Sequence, residues 1–195
     1  MARVVVSEFV SLDGIMEDPG GAEGSPAGGW AFKFNRGPEG DKFKVDELMA
    51  AEAMLLGRRT YEGFAAAWPS ITDEVGFADR MNGMPKFVVT STLEKLSWNN
   101  STRVTGDVTE AIKKLKGELS GDILVAGSSQ LVQSLHDDAL VDEYRLMVFP
   151  VVLGRGKRLF EDGSARATLS LGEVRAVGEC AVMVLYPAKE STTAT

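Results

Sequence analysis

A short apolar run, Met54-Leu55-Leu56, breaks at Gly57 and passes through Arg58-Arg59-Thr60 into a helical pattern carrying Tyr61 and Phe64. A brief, wholly apolar segment that ends in glycine and hands over to a helix is the pattern of a strand buried on both faces. Gly57 lets the backbone turn tightly, Thr60 can cap a helix, and the helix is predicted to run from there to Trp68-Pro69. Arg58 and Arg59 could clamp a phosphate monoester through charge-assisted hydrogen bonds, or they could simply be solvated surface.

The same grammar recurs twice. Lys86 to Thr90 reads as a strand, with Phe87-Val88-Val89 at its centre, and finishes in Thr90-Ser91-Thr92. Ile123-Leu124-Val125 finishes in Ala126-Gly127-Ser128-Ser129, which opens a helix bearing Leu131, Val132 and Leu135. In open α/β sheets ligands bind beyond the carboxyl ends of strands, where helix N-termini present unpaired N–H groups and partial positive charge. Thr90 and Ser91 offer hydroxyls of the size wanted around a 2′-phosphate, and Gly127, Ser128 and Ser129 make a small-residue start suited to a pyrophosphate. Each is also ordinary turn chemistry. A G-x-G-x-x-G fingerprint is absent, so the ordinary dinucleotide signature does not apply.

Around these three strand ends the other elements fall into place. Arg3 to Ser11 is a valine-rich strand, apolar on both faces and therefore central. Asp13 to Gly40 is a glycine- and proline-rich loop in which Trp30, Phe32 and Phe34 favour packing, as in an active-site lid. A helix is predicted over Asp41 to Ala53, and Asp107 caps another that carries Val108, Ile112, Leu115 and Leu119. Glu143 to Val148 is strand-like, Ala167 to Pro187 reads as two strands around Gly178, and 189–195 as a tail. Alternating strands and helices followed by a hairpin indicate an α/β domain over residues 1–188, its sheet mostly parallel with an antiparallel C-terminal edge.

Composition removes several function classes. The chain has 28 acidic against 21 basic side chains, a net charge of −7, which opposes a general nucleic-acid or membrane-surface role. No apolar run reaches membrane-spanning length. One histidine, His136, and one cysteine, Cys180, leave little from which to build a zinc site, and His136 has no nucleophile elbow to serve. A lone cysteine suits a reducing cytoplasm.

Ser11-Leu12-Asp13-Gly14, Leu55 to Glu62, Phe87 to Ser91, Val125 to Leu131, and Val141-Asp142-Glu143-Tyr144 with Pro150 to Gly156 and Leu159-Phe160 follow one another along nearly the whole chain. In that order they resemble the dihydrofolate reductase superfamily, in particular the branch of the riboflavin-biosynthesis reductase domain and its stand-alone relatives. The resemblance implies a three-layer dihydrofolate reductase-like fold with about eight strands and NADPH lying across the strand ends. It assigns Arg58, Arg59 and Thr60 to a cofactor-phosphate segment, Thr90 and Ser91 to the 2′-phosphate, and Gly127, Ser128, Ser129 and Gln130 to the pyrophosphate. The chemistry implied is hydride transfer to a small pteridine- or pyrimidine-like heterocycle. For the acid, Asp41 stands where the family places a carboxylate near a helix start, and Asp13 sits in the turn after the first strand. Aspartate is also a common helix-start and turn residue in its own right. The family's Gly-Gly pair is Ala126-Gly127 here, and the Gly14–Gly40 loop is longer than in either relative. Two alternatives remain beside the reductase: a nucleotide-binding module of the same fold without activity, and a structural dimer. The C-terminal hairpin edge also points to a homodimer.

Overall fold

The computed structural model describes residues 1–188; the predicted tail, 189–195, lies outside the described residues. In chain order the strands are β1 (Arg3–Ser11), β2 (Ala51–Gly57), β3 (Lys86–Val89), β4 (Ser101–Val104), β5 (Asp122–Val125), β6 (Glu143–Phe149), β7 (Leu169–Val177) and β8 (Cys180–Pro187). The α-helices are α1 (Gly37–Ala50), α2 (Arg58–Ala67), α3 (Phe77–Gly83), α4 (Val108–Glu118) and α5 (Ser129–Asp137). All eight strands form one sheet in the order β4-β3-β2-β5-β1-β6-β8-β7. The first six run parallel to one another, and β8 pairs antiparallel with both β6 and β7. This is the predicted mostly parallel sheet with an antiparallel C-terminal edge.

Right-handed crossovers dictate the layers. From β1 to β2 to β3 the chain moves one way across the sheet, so α1, α2 and α3 share a face; from β4 to β5 to β6 it returns, so α4 and α5 take the other. The cores follow that division. Val4, Val6 and Val10 of β1 pack with Ile112 and Leu115 of α4 and with Leu131, Val132 and Leu135 of α5. On the opposite face Val5, Leu56 and Val88 pack with Leu48 of α1, Tyr61 of α2 and Met81 of α3. A third cluster under β6 and β8 seats Trp30 and Phe149, whose rings meet edge to face at 5.3 Å.

Three boundaries differ from the sequence reading. Helix α1 opens at Gly37 with Pro38 in its first turn, so Asp41 lies inside the helix and does not start it. It ends at Ala50, and β2 begins three residues earlier than expected, because Ala51 and Ala53 pair with β5. Helix α2 begins at Arg58 with Gly57 as its N-cap, so Thr60 lies in the first turn and does not cap it. Two elements were not foreseen. Helix α3 is seven residues long, and β4 is four, both shorter than the window in which a hydrophobic period declares itself.

The long loop is built, not loose. Asp18 is buried and accepts the N–H groups of Glu23 and Ser25, while Trp30 donates its indole N–H to the Glu17 carbonyl. An antiparallel bridge between Ile15 and Arg158 ties the loop to the segment after β6.

Candidate active site

Strands β1 and β2 send their chains out to one face of the sheet, while β5, lying between them, sends its chain to the other. Diverging connections open a crevice at the carboxyl edge. A cleft of about 1840 Å³ occupies that position, walled by the 16–36 loop, α1, the strand ends and α2. Drug-sized ligands need roughly 300–1,000 Å³, so there is room for a dinucleotide and a second ligand.

The structure brings the three predicted strand ends together on this cleft: Gly57, Arg58, Arg59, Thr60, Thr90, Ser91, Gly127, Ser128, Ser129 and Gln130 all line it. The β2–α2 and β5–α5 turns are knitted to each other. The Gly57 N–H donates to Ser128 Oγ at 2.8 Å, and the Ser128 N–H donates to Thr60 Oγ1 at 2.9 Å. Gly127 and Ser128 are both left-handed, with φ of 61° and 62°. For serine this conformation is uncommon, and such backbone gathers at functional sites. A Cβ at Gly127 would stand 2.9 Å from Thr60 Oγ1 and 3.0 Å from its Cγ2. Only glycine fits there.

These bonds consume groups that the sequence reading offered to a ligand. The Gly127 N–H donates to Glu8 Oε2 at 3.0 Å, so neither Gly127 nor Ser128 has a free amide. The first turn of α5, Ser129 and Gln130, is where unpaired N–H groups remain, and no side chain caps it. The start of α2 is likewise uncapped, whereas α4 is capped by Asp107.

The two arginines differ. Arg58 pairs with Glu62 at 3.1 Å, one turn along α2. Arg59 lines the cleft, and among the described residues no acceptor engages it. At the far end Thr90 Oγ1 accepts the N–H groups of Thr92 and Leu93. Arg103 of β4 reaches the carbonyls of Thr90 (3.4 Å) and Ser91 (3.2 Å) and also lines the cleft. Arg103 escaped the sequence reading because β4 did: Ser101-Thr102-Arg103-Val104 carries one apolar residue and no period.

The two candidate acids do not meet. Asp13 lies outside the cleft lining. Its carboxylate accepts from Ser11 Oγ (2.7 Å) and from the N–H groups of Leu153 (3.1 Å) and Gly154 (2.8 Å), tying the end of β1 to the loop after β6. The Ser11 hydroxyl, then the two amides, pull its pKa down to about 2. It is an anion. Asp41 does line the cleft, but at the surface, paired with Arg36 at 2.5 Å. Of the basic loop, Lys157 joins the cleft beside Glu17 at 3.5 Å, and Arg158 donates to the Asp13 carbonyl.

The cleft floor holds what the sequence reading passed over. Glu8 of β1 is 5% exposed; Oε2 takes the Gly127 N–H, and Oε1 has no partner. Burial pushes its carboxyl well above the usual carboxylate range, with Glu47 and Glu23 adding to the rise and the Gly127 N–H and Lys44 opposing it. Next to it Ser7 Oγ sits 2.8 Å from both Glu47 carboxylate oxygens, and Lys44 donates to Ser7 and pairs with Glu47. The signal was present: Glu8 is the one acid on the face that Val4, Val6 and Val10 share. His136, in contrast, is a packing group. Its ring nitrogens meet Tyr144 Oη and the Ala165 carbonyl, both at 2.8 Å.

A mostly parallel sheet with an antiparallel C-terminal edge, set between two helical layers and with a cleft across its strand ends, is the dihydrofolate reductase-like architecture. The family model of the RibD C-terminal domain matches residues 2–183, and the chain belongs to that family. It is 27% identical over 187 residues to the uncharacterized protein YyaP of Bacillus subtilis (strain 168), covering 94% of each chain. Among solved structures, a putative riboflavin biosynthesis protein from Shewanella sp. PV-4 superposes with a TM-score of 0.76 at 18% identity, over 97% of this chain and 100% of that one. Dihydrofolate reductase from Enterococcus faecalis, complexed with NADP(H) and RAB-propyl, superposes with a TM-score of 0.58 at 14% identity, over 96% and 97%. At such identities the likeness concerns the fold.

Proposed function

We propose that the chain is a cytoplasmic NADPH-dependent oxidoreductase that reduces a small pteridine- or pyrimidine-like heterocycle. The carrying observation is the convergence of Gly57, Thr90 and Gly127, with the starts of α2 and α5 and with Arg59 and Arg103, on one cleft large enough for a dinucleotide and a substrate. The residues present fit the coenzyme. Thr90, Ser91, Arg59 and Arg103 suit the adenosine 2′-phosphate, and the uncapped first turn of α5, Ser129 and Gln130, suits the pyrophosphate. Gly127 and Ser128 shape that turn, and Gly57 and Thr60 hold it in place.

The coenzyme supplies hydride when bound. What the chain contributes is orientation, a dry floor and charge. The Ser7–Lys44–Glu47 group offers polar contacts beside Glu8, and Asp41 stands at the mouth for an incoming substrate. Family membership and the reductase-type fold support an enzyme over a bare nucleotide-binding module. Oligomerisation is part of the same reading. Seven of the nine residues of the edge strand β7 are exposed, Leu171 and Val174 among them, which favours pairing with a second copy.

Titrations of the full chain with NADPH and NADH test the cofactor, and loss of the dihydronicotinamide absorbance with a panel of pteridines and pyrimidines tests the reaction. Tighter binding of NADPH and turnover of at least one ring are expected. Equal affinities would refute the 2′-phosphate assignment, and binding without turnover across the panel would favour the module.

A further inference from the structure

Glu8 is a buried carboxyl that the fold uses only by half: Oε2 accepts the Gly127 N–H, and Oε1 is left over. Among the described residues, Glu8 Oε1 and Ser101 Oγ are the buried side-chain polar atoms without a partner, and Glu8 alone of the two residues lines the cleft. A buried group left half-satisfied is costly and calls for an explanation. Its place in the sheet supplies one. The strand ends run β3, β2, β5, β1 across the cleft. On the reading above, the 2′-phosphate lies at β3 and β2 and the pyrophosphate at β5. The next strand end is β1, so the nicotinamide end of the coenzyme falls beside Glu8.

Resting on that reading, we propose that Glu8 is a catalytic acid whose proton is released as the neighbouring nicotinamide becomes a cation, and that Oε1 delivers it to the double bond being reduced. The balance is complete. The substrate carbon takes a hydride, with its electron pair, from the dihydronicotinamide. The nitrogen or oxygen of the same C=N or C=O bond takes the proton from Glu8 as the π bond breaks. NADP⁺ and a Glu8 carboxylate remain, and solvent restores the proton after the products leave.

The physical link is Coulombic. In the resting cleft burial disfavours the carboxylate, and the groups facing it divide: Lys44 and the Gly127 N–H favour the charge, Glu47 and Glu23 oppose it. A dihydronicotinamide is neutral and leaves this balance alone. An oxidised nicotinamide brings a positive charge into a low-dielectric floor, where charges interact far more strongly than in water. The carboxylate then becomes the favoured form. Proton release is thereby tied to hydride departure, and Glu8 is charged only when the coenzyme is spent.

The two redox states of the coenzyme test this without a known substrate. Isothermal titration calorimetry of the full chain with NADP⁺ and with NADPH, repeated in buffers of different ionisation enthalpy, counts the protons exchanged. The 2′-phosphate contributes equally to both, so it cancels in the difference. At neutral pH, NADP⁺ is expected to release up to about one proton more than NADPH, and Glu8→Gln is expected to bind both and abolish the difference. An infrared difference spectrum of wild-type chain with and without NADP⁺ needs no variant: a protonated-carboxyl band should disappear and carboxylate bands appear. Binding of both nucleotides with equal proton counts, or a difference that survives in Glu8→Gln, would overturn the role of Glu8 and leave the cofactor reading intact. If neither nucleotide binds, the cofactor reading fails and this inference goes with it.

Discussion

Replacing Gly127 by alanine probes the joint on which the cleft is built. The residue sits at φ 61°, and a Cβ would lie 2.9 Å from Thr60 Oγ1 and 3.0 Å from Thr60 Cγ2. Holding alanine in the left-handed region costs about 1–2 kcal/mol. The close approach then forces Thr60 aside and breaks its hydrogen bond to the Ser128 N–H, worth about 0.5–1.5 kcal/mol. Gly127→Ala should therefore destabilise by about 1.5–3.5 kcal/mol, read as a lower urea midpoint at unchanged slope. Thr60→Ala alone should cost about 1 kcal/mol, for the lost bond. In the double variant the clash has no partner, so the two effects should fall short of additivity by about 1 kcal/mol. A single-variant cost under about 0.5 kcal/mol, or strict additivity, would refute the packing of Thr60 against Gly127. Because α5 starts here, the same variant should also weaken NADPH binding.

Three further perturbations bear on the site and its frame. Arg59→Ala should cost NADPH about 1.5–3 kcal/mol, roughly tenfold to a hundredfold in affinity, with little effect on NADH; Arg58→Ala, already paired with Glu62, should do much less, and the reverse ranking in fluorescence titrations would exchange their roles. Asp13 has its folded pKa lowered from 3.8 to about 2, so its contribution to stability is present above about pH 4 and lost as pH falls toward 2. Asp13→Asn should be less stable at neutral pH and lack that part of the acid limb; an unchanged acid limb would contradict the bonds to Leu153 and Gly154. Lys86 is fully buried at the other end of β3, donating to the carbonyls of Asn82, Met84 and Asn99 over the Trp98 ring. Lys86→Met should cost about 3 kcal/mol in urea unfolding and leave NADPH affinity untouched, since Lys86 lies outside the cleft lining.

The parts of this molecule that were legible in sequence are those governed by local, periodic chemistry. Buried parallel strands are apolar on both faces and end in small residues, so β1, β2, β3 and β5 stood out, and their convergence follows from right-handed crossovers. The start of α1 was hidden inside a glycine-rich stretch, although Gly37-Pro38 is itself a helix-opening signal. Taking Asp41 as that start made it a candidate acid by position, and the structure puts it at the cleft mouth on Arg36 instead. Asp13 lies in the turn after β1, but which side of that turn it faces depends on the loop after β6, 140 residues away. Glu8 was the harder case. A charge on a central valine strand marks an unusual floor, but which groups it meets there depends on the tertiary position of Gly127.

The most direct measurement is an amide chemical-shift map of the full chain titrated with NADPH. The largest changes are expected together, at Arg59, Thr90, Ser91, Ser129 and Gln130, with Glu8 among them. Saturable changes confined elsewhere, for instance along β7, or none at all, would contradict the claim that these strand ends form a single coenzyme site.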